Sequence, residues 1–262
     1  DIRRKSIEAL GKIGSIEAIP SLIKALNDKD NNFSDSVATV LEKFGEKALY
    51  ELILAFQDKS NSDQVRQLVA RTLGNIGSSD AVPVLTQFLP NDSYIVRLKI
   101  ISALGDIGSS SAAPSLIDCI QDIEENIRGQ VTQSLGKIRS TDAIPSLIMA
   151  LNDDSYHVRE NAAIALGQVG SPDALPSLIK TLEEDNVTSV QECAIRALVK
   201  IDSIGAIPHL IKILEGKNEH MKAITPQILA DIGEKAVPHL IEAHQHANSN
   251  DVIIGIVKAG QI

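Results

Sequence analysis

Six histidines and two cysteines are the side chains in this sequence best suited to metal binding or nucleophilic chemistry. The histidines are His157, His209, His220, His239, His244 and His246. His239 and His246 are seven residues apart and could share a helix face. No pair, however, has the i, i+4 spacing that presents two ligands to one metal ion on a helix. The histidine pattern therefore predicts no metal site.

The cysteines occupy two kinds of position. Cys119 stands where Ala25, Ala55 and Ala150 stand in corresponding segments, which predicts a small core residue. Cys193 stands at a partly exposed position, elsewhere held by Lys5, Lys99, Gln130 and Asn161. No adjacent motif would lower the thiol pKa and make either cysteine a nucleophile. Together with the absence of a G-x-x-x-x-G-K-[ST] phosphate loop, this predicts no catalytic residue, no cofactor and no enzyme activity.

A proline that recurs every 30 to 33 residues indicates the elements that carry these side chains. It appears, with Tyr50 in the one missing place, as Pro20, Pro83, Pro114, Pro145, Pro176, Pro208 and Pro238. Each copy has two segments with apolar residues three and four apart, as in amphipathic helices. We name the proline-bearing helix A and the helix that begins near an arginine B. A unit this short must stack on its neighbours, so the pattern predicts an all-α, right-handed α-solenoid of about eight two-helix repeats.

Composition agrees with helical repeats and narrows the classes of partner. The chain has 262 residues, of which 44% are hydrophobic and only 3% aromatic, so aliphatic residues must fill the core. It has no apolar run long enough to span a membrane and only two cysteines, which predicts a soluble, cytoplasmic protein. Its net charge of −9 makes nucleic acid an unfavourable partner. We expect one continuous array over residues 1–262, a fragment of a longer protein because both ends fall inside repeats.

The repeat consensus resembles HEAT repeats, specifically the short HEAT-like repeats of bilin lyases (phycobilisome lyases). Val96-Arg97, Ala103-Leu104-Gly105, Ile107-Gly108 and Ala113-Pro114 carry the resemblance and recur at the same offsets along the chain. The resemblance implies a scaffold, a bilin-attaching lyase subunit, a sensor region of a large NTPase or a di-iron hydroxylase. The hydroxylase requires His-Glu dipeptides at helix starts, and the sequence has none.

An arginine near the start of most B helices suggests a structural ladder. Arg3, Arg66, Arg97, Arg128 and Arg159 occupy this position. An acidic residue eight after the proline position recurs as Asp28, Asp58, Asp122, Asp153 and Glu184. Because a cation at a helix N-terminus opposes the helix dipole, its recurrence implies a fixed carboxylate partner. We expect these pairs to hold the repeats together rather than to bind a ligand.

The polar positions of the B helices form the predicted binding surface. Counted back from the turn that ends each B helix, the positions nine, six and two residues earlier hold eight cations and three anions. An excess of +5 on a chain of net charge −9 would select an acidic ligand. The predicted partner-binding residues on the concave face are Lys12, Lys43, Arg71, Lys99, Lys137, Arg196 and Lys200.

Two functions remain open on these observations. The leading interpretation is a non-catalytic interaction scaffold that binds an acidic protein surface or acidic peptide through the concave face. The alternative is one subunit of a bilin-lyase-type enzyme that acts on phycobiliprotein chromophores, in which the basic positions meet the propionates of the tetrapyrrole. The near absence of aromatic residues from the counted positions weighs against the alternative.

Overall fold

The computed structural model describes residues 2–246, with side chains as far as Ala243. All regular elements in that range are helices. The chain divides into two compact units, residues 1–140 and residues 141–262, which we describe separately. Whether they form the single array predicted for residues 1–262 stays a prediction, as does the right-handed sense of the superhelix. The repeat period also predicts a ninth B helix after the last A helix, and it lies outside the described residues.

The first unit alternates B and A helices. Its B helices are α1 (Ile2–Ile13), α3 (Asn31–Phe44), α5 (Asp63–Ile76), α7 (Tyr94–Ile107) and α9 (Glu125–Ile138). Its A helices are α2 (Ile19–Ala25), α4 (Glu46–Gln57), α6 (Val82–Phe88) and α8 (Ala113–Ile117). Each A helix packs on the B helix that follows it, and each B helix packs on the next B helix.

The second unit continues the same alternation from an A helix. Its A helices are α10 (Ile144–Ala150), α12 (Leu175–Glu184), α14 (Ile207–Glu215) and α16 (Val237–His246). Its B helices are α11 (Tyr156–Val169), α13 (Thr188–Ile201) and α15 (Glu219–Ile232). The predicted all-α solenoid of two-helix repeats is confirmed within each unit.

Most A helices start differently from the prediction. We expected the recurring proline to bend the helix within its early turns. Instead, a one-turn 3₁₀ helix such as Pro172–Ala174 precedes the α-helix, and the proline occupies its first or second position. The N–H that proline lacks has no intrahelical partner there, so no hydrogen bond is lost. The A helices are therefore short and need no bend at the proline.

The glycine of the Ala-Leu-Gly motif, which in α5 reads Thr-Leu-Gly, lets neighbouring B helices approach closely. A Cβ on Gly74 of α5 would lie 2.8 Å from the Cα of Ala103 on α7. A Cβ on Gly105 would lie 2.6 Å from the hydroxyl of Ser134 on α9, and that hydroxyl donates to the carbonyl of Ile101 at 2.9 Å. Both glycines are therefore interhelix packing residues.

The arginine ladder is present, but two of its carboxylates differ from the prediction. Arg3 donates to Asp28 and Arg97 to Asp122, as the spacing predicted. Arg66 instead pairs with Asp92 and Arg159 with Asp185, one residue beyond the predicted position. The predicted Asp58 accepts hydrogen bonds from Ser60, and Glu184 lies 3.9 Å from Lys180. The loop before the next B helix thus sets which carboxylate the arginine reaches.

The partner of each arginine lies one repeat further along the chain. The residues of these pairs are 25 or 26 positions apart. The second carboxylate oxygen usually accepts a backbone N–H of the loop, as Asp122 does from Glu124 and Asp185 from Val187. Each pair therefore joins the start of one B helix to the loop that begins the next.

Candidate functional site

Within each unit, the exposed polar positions of successive B helices make up the surface that we call the B-helix ridge. It consists of the residues thirteen, ten, nine, six and two positions before the turn that ends each B helix. In the first unit, Lys12, Lys43, Lys99 and Lys137 are exposed on it and Arg71 is half-buried. The predicted cations thus lie on neighbouring helices α1, α3, α5, α7 and α9. Their role in binding a partner stays a prediction.

Several of these cations are neutralised by acids on the same ridge. Arg71 on α5 lies 2.8 Å from a carboxylate oxygen of Asp35 on α3, and Lys137 on α9 lies 2.7 Å from Asp106 on α7. Lys12 lies 3.5 Å from Glu8 on its own helix. The sequence count missed Asp35 because it stands ten residues before its turn.

The second unit has a similar arrangement around Glu192 on α13. Glu192 lies 2.8 Å from Arg196 on the next turn and 3.1 Å from His220 on α15. The hydrogen bond with His220 lowers the pKa of Glu192 most; burial opposes it, and the bond from Arg196 lowers the pKa further. The predicted Arg196 is therefore engaged within the ridge, while Lys200 is exposed.

These acids reduce the charge available to a ligand. The position ten before the turn adds one cation, Arg4, and three anions, Asp35, Glu160 and Glu192, which lowers the predicted excess from +5 to +3. Among the predicted residues, Lys43, Lys99 and Lys200 form no ion pair with any described residue. A ligand would meet the charge of these lysines without competition from a carboxylate of the described residues.

Neither cysteine has the environment of a nucleophile. Cys119 is buried as predicted, and that burial raises the pKa of its thiol, although a hydrogen bond with Arg97 opposes the effect. Cys193 is half-buried, and burial followed by the nearby charges of Glu160 and Glu192 raises its thiol pKa. Both thiols are therefore mostly protonated near neutral pH.

The described part of the chain holds no group of three or more His, Cys, Asp or Glu side chains that could bind a metal ion. His157 is 3.5 Å from Glu160 on its own helix, and His220 contacts Glu192. The side chains of His244 and His246 lie outside the described residues. Between residues 2 and 246, no helix is long and apolar enough to span a membrane.

Sequence reasoning missed an exposed apolar residue on the ridge, Ile95, and exposed tyrosines beside it, one residue earlier in the B helices. Tyr94 and Ile95 at the start of α7 are 39% and 49% exposed, and Tyr156 at the start of α11 is 44% exposed. The sequence count began nine residues before each turn and so left out the first turn of each B helix. Extending the count by one helical turn would have revealed these residues.

Comparison with known proteins identifies the repeats. A family profile for HEAT repeats matches residues 1–63, 50–135 and 117–199, which is well over half of the chain. A designed armadillo repeat protein, solved with the peptide (KR)4, has a TM-score of 0.53, 20% identity and coverage of 70% of this chain and 99% of that one. That likeness concerns the fold alone.

Two curated relatives and one solved complex have names that state an activity. Phycocyanobilin lyase subunit alpha of Nostoc sp. is 29% identical over 99 residues, 34% of this chain and 36% of the relative. The protein of the same name from Picosynechococcus sp. is 27% identical over 107 residues, 37% of this chain and 40% of the relative. The matches thus span little more than a third of the curated relatives' length.

The solved structure is the complex of CpcE and CpcF of phycocyanin lyase from Nostoc sp. PCC7120. One of its chains is 25% identical with a TM-score of 0.53, and the match covers 80% of this chain and 92% of that chain. These findings overturn the prediction that the chain is not an enzyme, since both the curated relatives and the solved complex are named as lyases.

Proposed function

This chain belongs to the HEAT-repeat family, and we propose that it is a subunit of a lyase that attaches phycobilin chromophores to antenna proteins or removes them. The observation that carries the proposal is the match to a chain of the CpcE–CpcF complex, which covers 92% of that chain at 25% identity. The shorter matches to two phycocyanobilin lyase alpha subunits support it. The partner implied is a second lyase subunit.

The chain's role in such an enzyme is to bind and orient the bilin. Its two thiols have raised pKa values, which disfavours a covalent intermediate on either cysteine. The B-helix ridge offers lysine ammonium groups, and the propionates of a bilin are carboxylates that accept charge-assisted hydrogen bonds from them. The acidic ligand expected for the ridge is then the bilin itself.

Two lysines of the first unit are the best placed for that role. Lys43 and Lys99 are exposed and have no ion-pair partner among residues 2–243, so a ligand carboxylate would not have to displace a protein one. Arg71, Lys137 and Arg196 already contact Asp35, Asp106 and Glu192. We therefore assign Lys43 and Lys99 to the ligand. Arg71 and Lys137 instead join neighbouring helices, and Arg196 joins two turns of its own helix.

Reconstitution tests the proposal directly. The chain is co-expressed with CpcF of Nostoc sp. as the second subunit and with an apo-phycocyanin, and phycocyanobilin is added. We expect an antenna protein whose visible absorption is shifted and whose colour survives denaturation, because the chromophore is covalently attached. Reactions that lack either the chain or the second subunit give the background.

A second arm tests the lysine assignment. We expect the variant with Lys43 and Lys99 both changed to Gln to form the coloured product more slowly than wild type. The matched control changes Lys24 and Lys47, which are exposed on A helices of the same unit, to Gln. A folded wild-type chain that binds the second subunit but yields no coloured product above background would overturn the proposed function.

A further inference from the structure

We propose that the first two turns of α7, with the start of α9, form a subsite that holds the bilin by one pyrrole ring and one propionate. Tyr94 and Ile95 would contact the ring, Lys99 the propionate, and Asn126 would fix the tyrosine. This inference rests on the proposed function, and it names where on the ridge of the first unit the substrate binds.

Ile95 is an apolar residue at a position that is otherwise polar. It stands thirteen residues before the turn, where the other described B helices have Asn32, Gln64, Asn126, His157, Ser189 and His220. Its side chain is 49% exposed, so it does not serve the core of the repeat. Exposed apolar side chains beside polar ones are typical of ligand-contact surfaces.

Tyr94 adds a flat ring with a fixed orientation. Its hydroxyl accepts a hydrogen bond of 3.0 Å from the side-chain amide of Asn126, at the start of the neighbouring helix α9. The two helices are held close by Gly105 against Ser134. The tyrosine ring is thus positioned before any ligand arrives, which reduces the entropy lost on binding.

Lys99 supplies the charge at a suitable distance. It follows Ile95 by four residues, so the two side chains lie on the same helix face, about 6 Å apart along the axis. Lys99 is exposed and has no ion pair within the described residues. Asp106, the ridge acid further along α7, is 2.7 Å from Lys137 and therefore already engaged.

The combination specifies the chemistry of the ligand. An aromatic and an aliphatic side chain favour a flat, apolar body, and an unpaired ammonium one helical turn away favours a carboxylate attached to it. A bilin has pyrrole rings with propionate side chains and meets both requirements. A fatty acid has the carboxylate and an apolar chain, but no flat ring for Tyr94 to stack against.

The experiment measures binding of phycocyanobilin to the isolated chain by the change in its visible absorption and circular dichroism. The same titration is made with the dimethyl ester, in which both propionates are uncharged. We expect Lys99→Gln to weaken binding of the free acid about tenfold, as the loss of one charge-assisted bond would do. We expect no effect of that substitution on the ester.

Three further variants complete the design. Ile95→Asn introduces the residue found at the same position of α3 and α9. We expect it to weaken binding of the free acid and binding of the ester by the same several-fold factor. Lys99→Arg should retain binding because it keeps the charge. Lys47→Gln, on helix α4, is the matched control and should bind like wild type, with equal melting temperatures throughout.

The outcomes separate this inference from the proposed function. If the Lys99→Gln and Ile95→Asn variants both bind phycocyanobilin with the affinity of the wild type, the proposed subsite is wrong, even if the reconstituted lyase is active. If bilin binding depends on both residues but reconstitution gives no coloured product, the proposed function is wrong and the subsite stands. Equal affinity for oleate, with the same dependence on Lys99 and Ile95, would overturn the assignment of the subsite to a bilin.

Discussion

Arg66 and Asp92 form a buried ion pair between the start of α5 and the loop before α7. Nη1 of the arginine donates to Oδ1 of the aspartate at 2.6 Å, and its Nε donates to the carbonyl of Phe56 at 3.1 Å. The two side chains are only 7% and 6% exposed. The guanidinium also lies 4.9 Å from the ring centre of Phe56, so its charge is satisfied on several sides.

Removing this arginine should cost far more stability than removing an equivalent surface one. We expect Arg66→Ala to lower the free energy of unfolding by about 3–5 kcal/mol, because it leaves the Asp92 carboxylate buried without its cation. Arg3, at the same ladder position, is 61% exposed, so Arg3→Ala should cost no more than about 1 kcal/mol. Urea unfolding of both variants measures the difference. Equal losses would show that burial does not set the strength of the ladder.

Acid should weaken the ladder at Asp122. Burial alone would raise the pKa of Asp122, but the hydrogen bonds from Arg97 and from the N–H of Glu124 outweigh it and hold the pKa below its ordinary value of 3.8. The unfolded state then binds the proton more readily, so the stability from this pair is present above about pH 4 and is lost as the pH falls through the lowered pKa.

Urea unfolding between pH 3 and pH 7 tests this titration. The free energy of unfolding of the wild type should fall more steeply below pH 4 than that of Asp122→Asn, which has no carboxyl group at that position. Parallel pH profiles for the two proteins would contradict the lowered pKa.

The close contact at Gly74 predicts that Gly74→Ala destabilises the protein, whereas helix propensity alone would predict that it stabilises the protein. At an exposed helix position, Gly→Ala stabilises by up to about 1 kcal/mol. At Gly74 the added methyl would meet the backbone Cα of Ala103 at 2.8 Å, so we expect a loss of about 1–3 kcal/mol. Gly11→Ala is the matched control, since its methyl meets a side-chain methyl of Val40, which can rotate. Thermal melts should therefore place Gly74→Ala well below Gly11→Ala.

The cysteines should react slowly. Because the thiol pKa of Cys193 is raised, less of it is thiolate at pH 7.5 than in a free thiol, and we expect alkylation by iodoacetamide to be several-fold slower than that of free cysteine. Cys119, which is buried, should react more slowly still. Mass spectrometry follows both sites, and in urea both should react at ordinary rates. Rapid labelling of folded Cys193 would restore it as a candidate nucleophile.

The sequence predicted what depends on the repeat period and missed what depends on side-chain reach. The recurring proline and the Ala-Leu-Gly motif gave the two-helix unit, because both have fixed places in it. The carboxylate that Arg66 reaches, Asp92, lies one residue beyond the predicted repeat position, since only the folded loop shows which carboxylate is within reach. Asp35, Tyr94 and Ile95 were overlooked because all three stand more than nine residues before the turn, where the count began.

The 25- or 26-residue reach of the arginine ladder also constrains how such a chain can change in length. Duplicating or deleting one whole repeat leaves each arginine at the same distance from the next carboxylate, so the new array would keep all its junctions. Inserting a few residues between the arginine and its carboxylate would instead change that spacing and strain the local pair. Evolution of this protein by whole-repeat steps would therefore preserve folding, while the ridge residues remain free to diverge from copy to copy.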